Sequence, residues 1–203
     1  MTGVAGLILA AGESSRMGKP KQLLPAGESS LLDRILDQAL RSELASVTLV
    51  LGFQASKIRE DLHTPIDSTK LNIIENPRYK EGISSSIIAG LAKVENRFDR
   101  VMIMLADMPH VTSNLIDLLL TKHEEAGLPF GAVVRKGRRT HPVIINRTYY
   151  EELRGLGGDK GARDLFQKHA DKVCLVESPE AYDDMDIDTP EDYQRFLKSL
   201  QKT

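Results

Sequence analysis

Four apolar runs of strand length, residues 4–10, 46–51, 71–75 and 100–106, are separated by stretches with helical periodicity. The runs VAGLILA and VMIMLA are apolar throughout, which suits strands buried on both faces of a parallel sheet. Between them, residues 30–42 place Leu31, Leu32, Ile35, Leu36, Ala39 and Leu40 at helical spacing behind Ser30, a favoured N-cap residue. Helices are also predicted over 54–62, 84–95 and 112–126, the last capped by Thr112 or Ser113. The alternation predicts an α/β fold: a mostly parallel central sheet with helices on both faces.

The rhythm changes after residue 128. FGAVVRKGRRTHPVIIN reads as two strands around the turn Lys136-Gly137-Arg138, a small antiparallel insertion. A helix over 148–155, a glycine-rich loop at 155–161, a helix over 162–169, a strand at 172–177 and a helix after Pro190 complete the chain. No linker, repeat or low-complexity tract interrupts it, so residues 1–203 are expected to form one domain.

Charge narrows the function classes. Lys and Arg number 27 against 29 Asp and Glu, a net charge of -2. That balance argues against a general nucleic-acid surface but leaves room for a local anion site. The single cysteine, Cys174, excludes an intramolecular disulfide and a multi-cysteine metal site. Between Val173 and Leu175 it reads as a small buried apolar residue. No run approaches the ~20 apolar residues of a membrane helix. The N-terminal strand lacks a basic leader, so a cytoplasmic protein without a membrane partner is expected.

The segment LAAGESSRMGKPKQLLP, residues 9–25, follows the first strand directly. Open α/β sheets bind ligands at the carboxyl ends of their strands. Ala10, Ala11 and Gly12 allow close backbone approach, and Arg16 and Lys21 add fixed positive charge, so the loop reads as a phosphate cradle. It is not a Walker A loop, because the spacing from Gly12 to Gly18 is one residue too long and Pro20 stands where Ser or Thr is needed. Nor does it have the glycine spacing of a dinucleotide fingerprint.

Asp107 is delivered to the same edge by an apolar strand, and Pro109 prevents the strand from continuing. A carboxylate there suits a hard cation such as Mg²⁺; a turn aspartate is the alternative. Asp186 and Asp188 flank Ile187 and share a side if the segment is extended, so either can complete a metal site. Asp192 sits where it serves a helix dipole, and Asp183 and Asp184 read as solvated charges. Ser84, Ser85 and Ser86 after Gly82 read first as helix caps. Gly158-Asp159-Lys160-Gly161-Ala162-Arg163 opens a helix and is either a second anion site or a basic loop. His141 lies in an apolar strand and reads first as structural. Arg135, Lys136, Arg138 and Arg139 concentrate charge nearby.

Residues 9–25 resemble the signature of nucleotidyltransferases with a Rossmann-like fold that activate sugars, polyols and cofactors. Within that group the chain is most similar to the molybdenum cofactor cytidylyltransferases and their guanylyltransferase relatives. GISSS at 82–86, LADMP at 105–109, THPV at 140–143, GDKGAR at 158–163 and DIDTPED at 186–192 fall in the expected order. The resemblance implies nucleotide binding by Leu9, Ala10, Ala11, Gly12, Arg16, Gly18, Lys21, Gly82, Ser86 and Asp107. It implies catalysis by Arg16, Lys21 and Asp107, and Mg²⁺ on Asp107 with Asp188, or Asp186, as second ligand. It assigns the acceptor to His141, Gly158, Asp159, Lys160, Gly161 and Arg163. LAAG, rather than LAGG, goes with CTP as donor. The implied substrates are CTP and molybdopterin cofactor, with a client molybdenum enzyme as a further partner. The rivals are transfer from GTP, transfer to another phosphorylated acceptor such as a sugar phosphate, and a non-catalytic maturation chaperone. The set Arg16, Lys21, Asp107 and Asp188 argues against the last, since a pure binder need not keep it.

Overall fold

The computed structural model describes residues 3–18, 20–64, 69–180 and 182–201; Lys19, in the phosphate-loop segment, lies outside them. In chain order the elements are β1 (Val4–Ala10), the short hairpin β2 (Pro25–Ala26) and β3 (Ser29–Ser30), α1 (Leu31–Arg41), β4 (Ser46–Leu51), α2 (Ala55–Glu60), β5 (Leu71–Glu75), α3 (Ile83–Val94), β6 (Arg100–Leu105) and α4 (Ser113–Ala126). There follow β7 (Phe130–Arg135), β8 (Arg138–Asn146), α5 (Tyr150–Arg154), α6 (Arg163–Lys168), β9 (Val173–Glu177) and α7 (Pro190–Leu200).

Seven strands form one sheet in the order β5-β4-β1-β6-β8-β7-β9. All pairings are parallel except those of β8, which is antiparallel to both β6 and β7. The expected antiparallel hairpin is β7–β8, and both of its strands belong to the main sheet. Its turn has Lys136 at φ 49° and Gly137 at φ 74°, the positive pair of a type I′ hairpin.

All seven residues of β1 are buried, because helices cover both faces. Ile8, Leu49 and Met104 pack with Leu32 and Ile35 of α1, Ile58 of α2 and Leu115 of α4. Leu7, Val50 and Ile103 pack on the other face with Ile87 and Leu91 of α3, Leu153 of α5 and Phe166 of α6. Burying one such large aliphatic side chain is worth about 1.5–3 kcal/mol. Ser30 and Thr112 cap α1 and α4 through their side chains, as their residue types predict.

Two features of this topology position the site. The chain passes from β5 on one side of β1 to β6 on the other, so the carboxyl ends of β1 and β6 flank a topological switch point. The C-terminal helix then returns to it. Phe196 of α7 and Ile187 pack with Leu24, Ala26 and Leu31, and the Ile187 N–H donates to the Asp107 carbonyl at 2.9 Å. Thr189 and Asp192 form a capping box at the start of α7, which fixes the residues just before it.

Three expectations need correction. The serines after Gly82 do not cap α3: the N-cap is Gly82, without a side-chain cap bond, and the serines lie inside the helix. The helix after GDKGAR is only six residues long. Cys174 is half-buried rather than buried, because β9 is an edge strand and its neighbour Leu175 is exposed.

Candidate active site

The loop after β1 is held from within. Gln22, only 2% exposed, donates from Nε2 to the carbonyls of Ala10 (3.0 Å) and Gly12 (3.2 Å). The Phe53 N–H donates to the carbonyl between them, that of Ala11, at 3.1 Å. Three successive carbonyls are thus satisfied by the protein, which withdraws the negative ends of these peptides from a prospective anion site. Ser14 adds a second tie: its Oγ accepts from the Lys21 N–H at 3.1 Å and donates to Gln22 Oε1 at 3.4 Å. The motif alone does not reveal this role for Gln22; a polar residue between Lys21 and two leucines is the signal the sequence offers for it.

Four charged side chains meet where the loop faces β6 and the approach to α7. Lys21 Nζ lies 2.7 Å from Asp107 Oδ2 and 2.7 Å from Asp188 Oδ1, and Arg16 lies 2.9 Å from Asp188 Oδ2. Burial works to lower the Lys21 pKa, but Asp107 and Asp188 outweigh it and hold the ammonium above the ordinary lysine value. Asp188 is pushed up by burial and pulled further down by Lys21 and Arg16, so it lies below the ordinary carboxylate value. Among the described residues no cation is ion-paired with Asp186, and the more distant Lys21 only partly offsets what raises its pKa. Burial, then Asp107 and Asp188, raise its pKa. The two aspartates that share a side on an extended strand are thereby divided: Asp188 joins Lys21, and Asp186 faces a separate cavity.

A cavity of about 730 Å³ opens over this cluster. Leu9, Ala10, Ala11, Gly12, Lys21, Gly82, Ser86 and Asp107 all line it, so eight of the ten expected nucleotide residues gather at one opening. Arg16 and Gly18 do not line it; Gly18 sits at φ 67° and ends the 3-10 turn that carries Arg16. Tyr79 and Lys80 also line the cavity and were missed by the sequence reading. So was Asn76, which is 2% exposed and donates from Nδ2 to Ser85 Oγ (2.8 Å) and Ser86 Oγ (3.0 Å). It fixes the Ser86 hydroxyl as an acceptor toward the protein.

A second cavity, of about 700 Å³, lies on the β8 side. His141, Asp159, Lys160, Gly161 and Arg163 line it, together with Asp186, Arg138 and Arg139. His141 places Nδ1 3.3 Å from the Ile103 carbonyl, and burial lowers its pKa, so it is neutral at pH 7. Gly158 does not line this cavity. It abuts Gly82, where a Cβ would lie 2.4 Å from the Gly158 carbonyl carbon. Asp159 Oδ1 accepts from the Ile83 N–H at 3.3 Å and borders both cavities.

The donor set fits a magnesium ion. Asp107 Oδ1 is buried without a hydrogen-bond partner among the described residues. Among those residues no three His, Cys, Asp or Glu side chains form a ready cage. Mg²⁺ commonly takes one or two carboxylates and completes its shell with water and substrate phosphates. Asp107 and Asp188, which both accept from Lys21 Nζ, would be such a pair.

The Bacillus subtilis purine catabolism protein PucB is 28% identical, covering 96% of each chain. The Escherichia coli molybdenum cofactor cytidylyltransferase is 25% identical, covering 95% of each. A probable molybdenum cofactor guanylyltransferase of Bacillus cereus is 28% identical, covering 97% of this chain and 96% of its own. The structure of Rv0371c of Mycobacterium tuberculosis in complex with manganese superposes with a TM-score of 0.81 at 29% identity, covering 98% of this chain and all of the other. Residues 6–173 match the MobA-like NTP transferase domain, and the chain belongs to that nucleotidyltransferase family.

Proposed function

We propose that the protein transfers CMP from CTP to the terminal phosphate of molybdopterin cofactor with release of pyrophosphate. The observation that carries this reading is the Lys21 ammonium held between Asp107 and Asp188 beside the Ala10-Ala11-Gly12 loop. An oxygen of the acceptor phosphate attacks the α-phosphorus of CTP, the bond from that phosphorus to the bridging oxygen breaks, and pyrophosphate leaves with the electron pair. A phosphate monoester has a second pKa of about 6, so the nucleophile is ionised at neutral pH and needs no strong general base. Neutral His141 accords with that. Lys21 and Arg16 neutralise charge on the departing pyrophosphate, and the loop fixes the direction of attack. Asp107 and Asp188 would hold Mg²⁺, which supplies further charge neutralisation at the phosphate oxygens.

Donor choice rests on the resemblance of LAAG, rather than LAGG, to the cytidylyl branch; the Ala11 methyl itself is 5% exposed and lies against Gly52. The guanylyltransferase relative makes GTP the alternative donor, and the second reading is the same transfer to a different phosphorylated acceptor such as a sugar phosphate. The test incubates the protein with Mg²⁺, molybdopterin cofactor and CTP, GTP or ATP in turn, and identifies the product by mass. A cytosine dinucleotide with the highest specificity constant for CTP is expected. A GTP value equal to or above that for CTP overturns the donor, and pyrophosphate release only with another acceptor overturns the acceptor.

A further inference from the structure

The cavity on the β8 side is lined by apolar side chains such as Ile87 and Ile103, by four cations, and by the carboxylates Asp159, Asp184 and Asp186. Four of its charged side chains, Lys160, Arg138, Asp184 and Asp159, are already engaged. Lys160 pairs with Asp164 at 3.1 Å, Arg138 pairs with Asp184 at 3.3 Å, and Asp159 is spent on the Ile83 N–H. Arg139 and Arg163 differ. Among the described residues neither has a carboxylate within ion-pair distance. Arg139 is nevertheless held in place. Its Nη1 donates to the Phe166 carbonyl at 3.3 Å, and its Cζ lies 5.1 Å from the centroid of the Phe166 ring. Stacking on an aromatic face is a mode open to a guanidinium and leaves its outer N–H groups free to donate. Arg163 is close enough to act on it: burial, then the charge of Arg163, lower the Arg139 pKa. The two guanidiniums line one cavity and carry like charge, and an anion held by both offsets their repulsion.

We propose that Arg139 and Arg163 form a two-guanidinium clamp for an oxyanion of the acceptor. Guanidiniums present paired N–H donors that match phosphate and carboxylate geometry, so the ligand class is a phosphate or carboxylate group. The clamp adds Arg139 to the acceptor residues and removes Lys160, whose charge is taken by Asp164. The identity of the bound group rests on the reading of this cavity as the acceptor side. The oxyanion is either the attacking phosphate or a second anionic group of the acceptor, and the experiment separates the two.

Inorganic phosphate is the first probe, titrated calorimetrically into the full chain carrying Arg16→Gln and Lys21→Gln, which silences the donor side. That protein is expected to bind phosphate, and adding Arg139→Gln and Arg163→Gln is expected to weaken binding at least tenfold. Arg139→Lys should recover only part of the loss, since an ammonium lacks the fork. Circular dichroism verifies folding of each variant, and the lysine variant serves if the double glutamine fails to fold. No phosphate binding in the donor-silenced protein, or affinity indifferent to Arg139 and Arg163, overturns the clamp. This titration needs no nucleotidyl transfer, so it stands apart from the proposed reaction. In the transfer assay, a raised acceptor KM with unchanged kcat in Arg139→Gln assigns the clamp to a second anionic group. A fall in kcat assigns it to the attacking phosphate, and a change in neither overturns it.

Discussion

The two cavities share a wall at Ile83, Leu105 and Asp159, yet they treat charge in opposite ways. On the β1 side the cations are matched: Lys21, 15% exposed, has two carboxylates at 2.7 Å, and Arg16, 66% exposed, pairs with Asp188 at 2.9 Å. On the β8 side Arg139 and Arg163 are exposed and lack carboxylate partners among the described residues. A paired cluster holds its geometry before any ligand arrives, as electrostatic catalysis requires. An exposed, unpaired cluster gains its partner only when ligand binds, as selection of a substrate requires. The difference follows the strands. The β1 side is built from parallel strands at a switch point and locked by α7, whereas the β8 side is built from a hairpin and the loop that ends at Gly161.

If this contrast is right, variants on the β1 side lower the maximal rate, and variants on the β8 side act on the acceptor. The largest effect is expected from Asp107→Asn. It removes a carboxylate that holds Lys21 and offers an unpartnered buried oxygen. A loss of roughly 10²–10³-fold in kcat is expected, by analogy with deleting one transition-state contact. Mg²⁺-dependent pyrophosphate release, measured on a folded variant, checks it; near-normal turnover breaks the contrast.

Lys21→Ala should follow, at about 10²-fold in kcat, and should exceed Lys19→Ala. Lys21 is tied to both aspartates, whereas the sequence predicts Lys19, beside Pro20, as a solvated neighbour. Steady-state kinetics of the two variants decide the ranking. Equal and small losses count against it.

Gly82→Ala tests the wall between the cavities. Its φ of 98° is unfavourable for any residue with a Cβ, at about 1–2 kcal/mol. The added methyl would also press on the Gly158 carbonyl carbon at 2.4 Å, so the loop that carries Asp159 must move. Thermal unfolding should show a midpoint several degrees lower, and KM should rise for both substrates. A change in one substrate alone would mean that the cavities are independent.

Much of this was legible in the sequence for reasons that are local. Continuous apolar runs require two-sided burial, and Ser30, Thr112 and Lys136-Gly137 announce caps and a turn through their own conformational preferences. The pairing of Lys21 with Asp107 was legible only as two residues at one sheet edge. Asn76 and Gln22 were not legible, because each acts on groups 9–12 residues away through a bond that no periodicity encodes. The division of Asp186 from Asp188 was hidden too, since it depends on where Arg16 and Lys21 arrive in space.

The smallest effect concerns acid stability of the β1 side, where α1 begins. Asp33, 4% exposed, accepts from the Ser30 hydroxyl, the Thr64 hydroxyl and the backbone N–H groups of His63 and Thr64. Burial pushes its pKa up, but these donors outweigh burial, and the net pKa lies below the ordinary value. A depressed folded-state pKa contributes stability that is present above the unfolded value near 4 and is lost as pH falls through the folded value. Asp33→Asn keeps an acceptor oxygen but loses the charge, so it should cost about 1 kcal/mol at pH 7. The cost should shrink below pH 4, where the wild-type carboxylate is itself being protonated. Denaturant unfolding of both proteins from pH 7 down to pH 3 reads the difference. A gap that stays constant with pH would show that Asp33 acts as a neutral-equivalent acceptor, leaving the charged cluster around Lys21 as the source of any acid lability on that side.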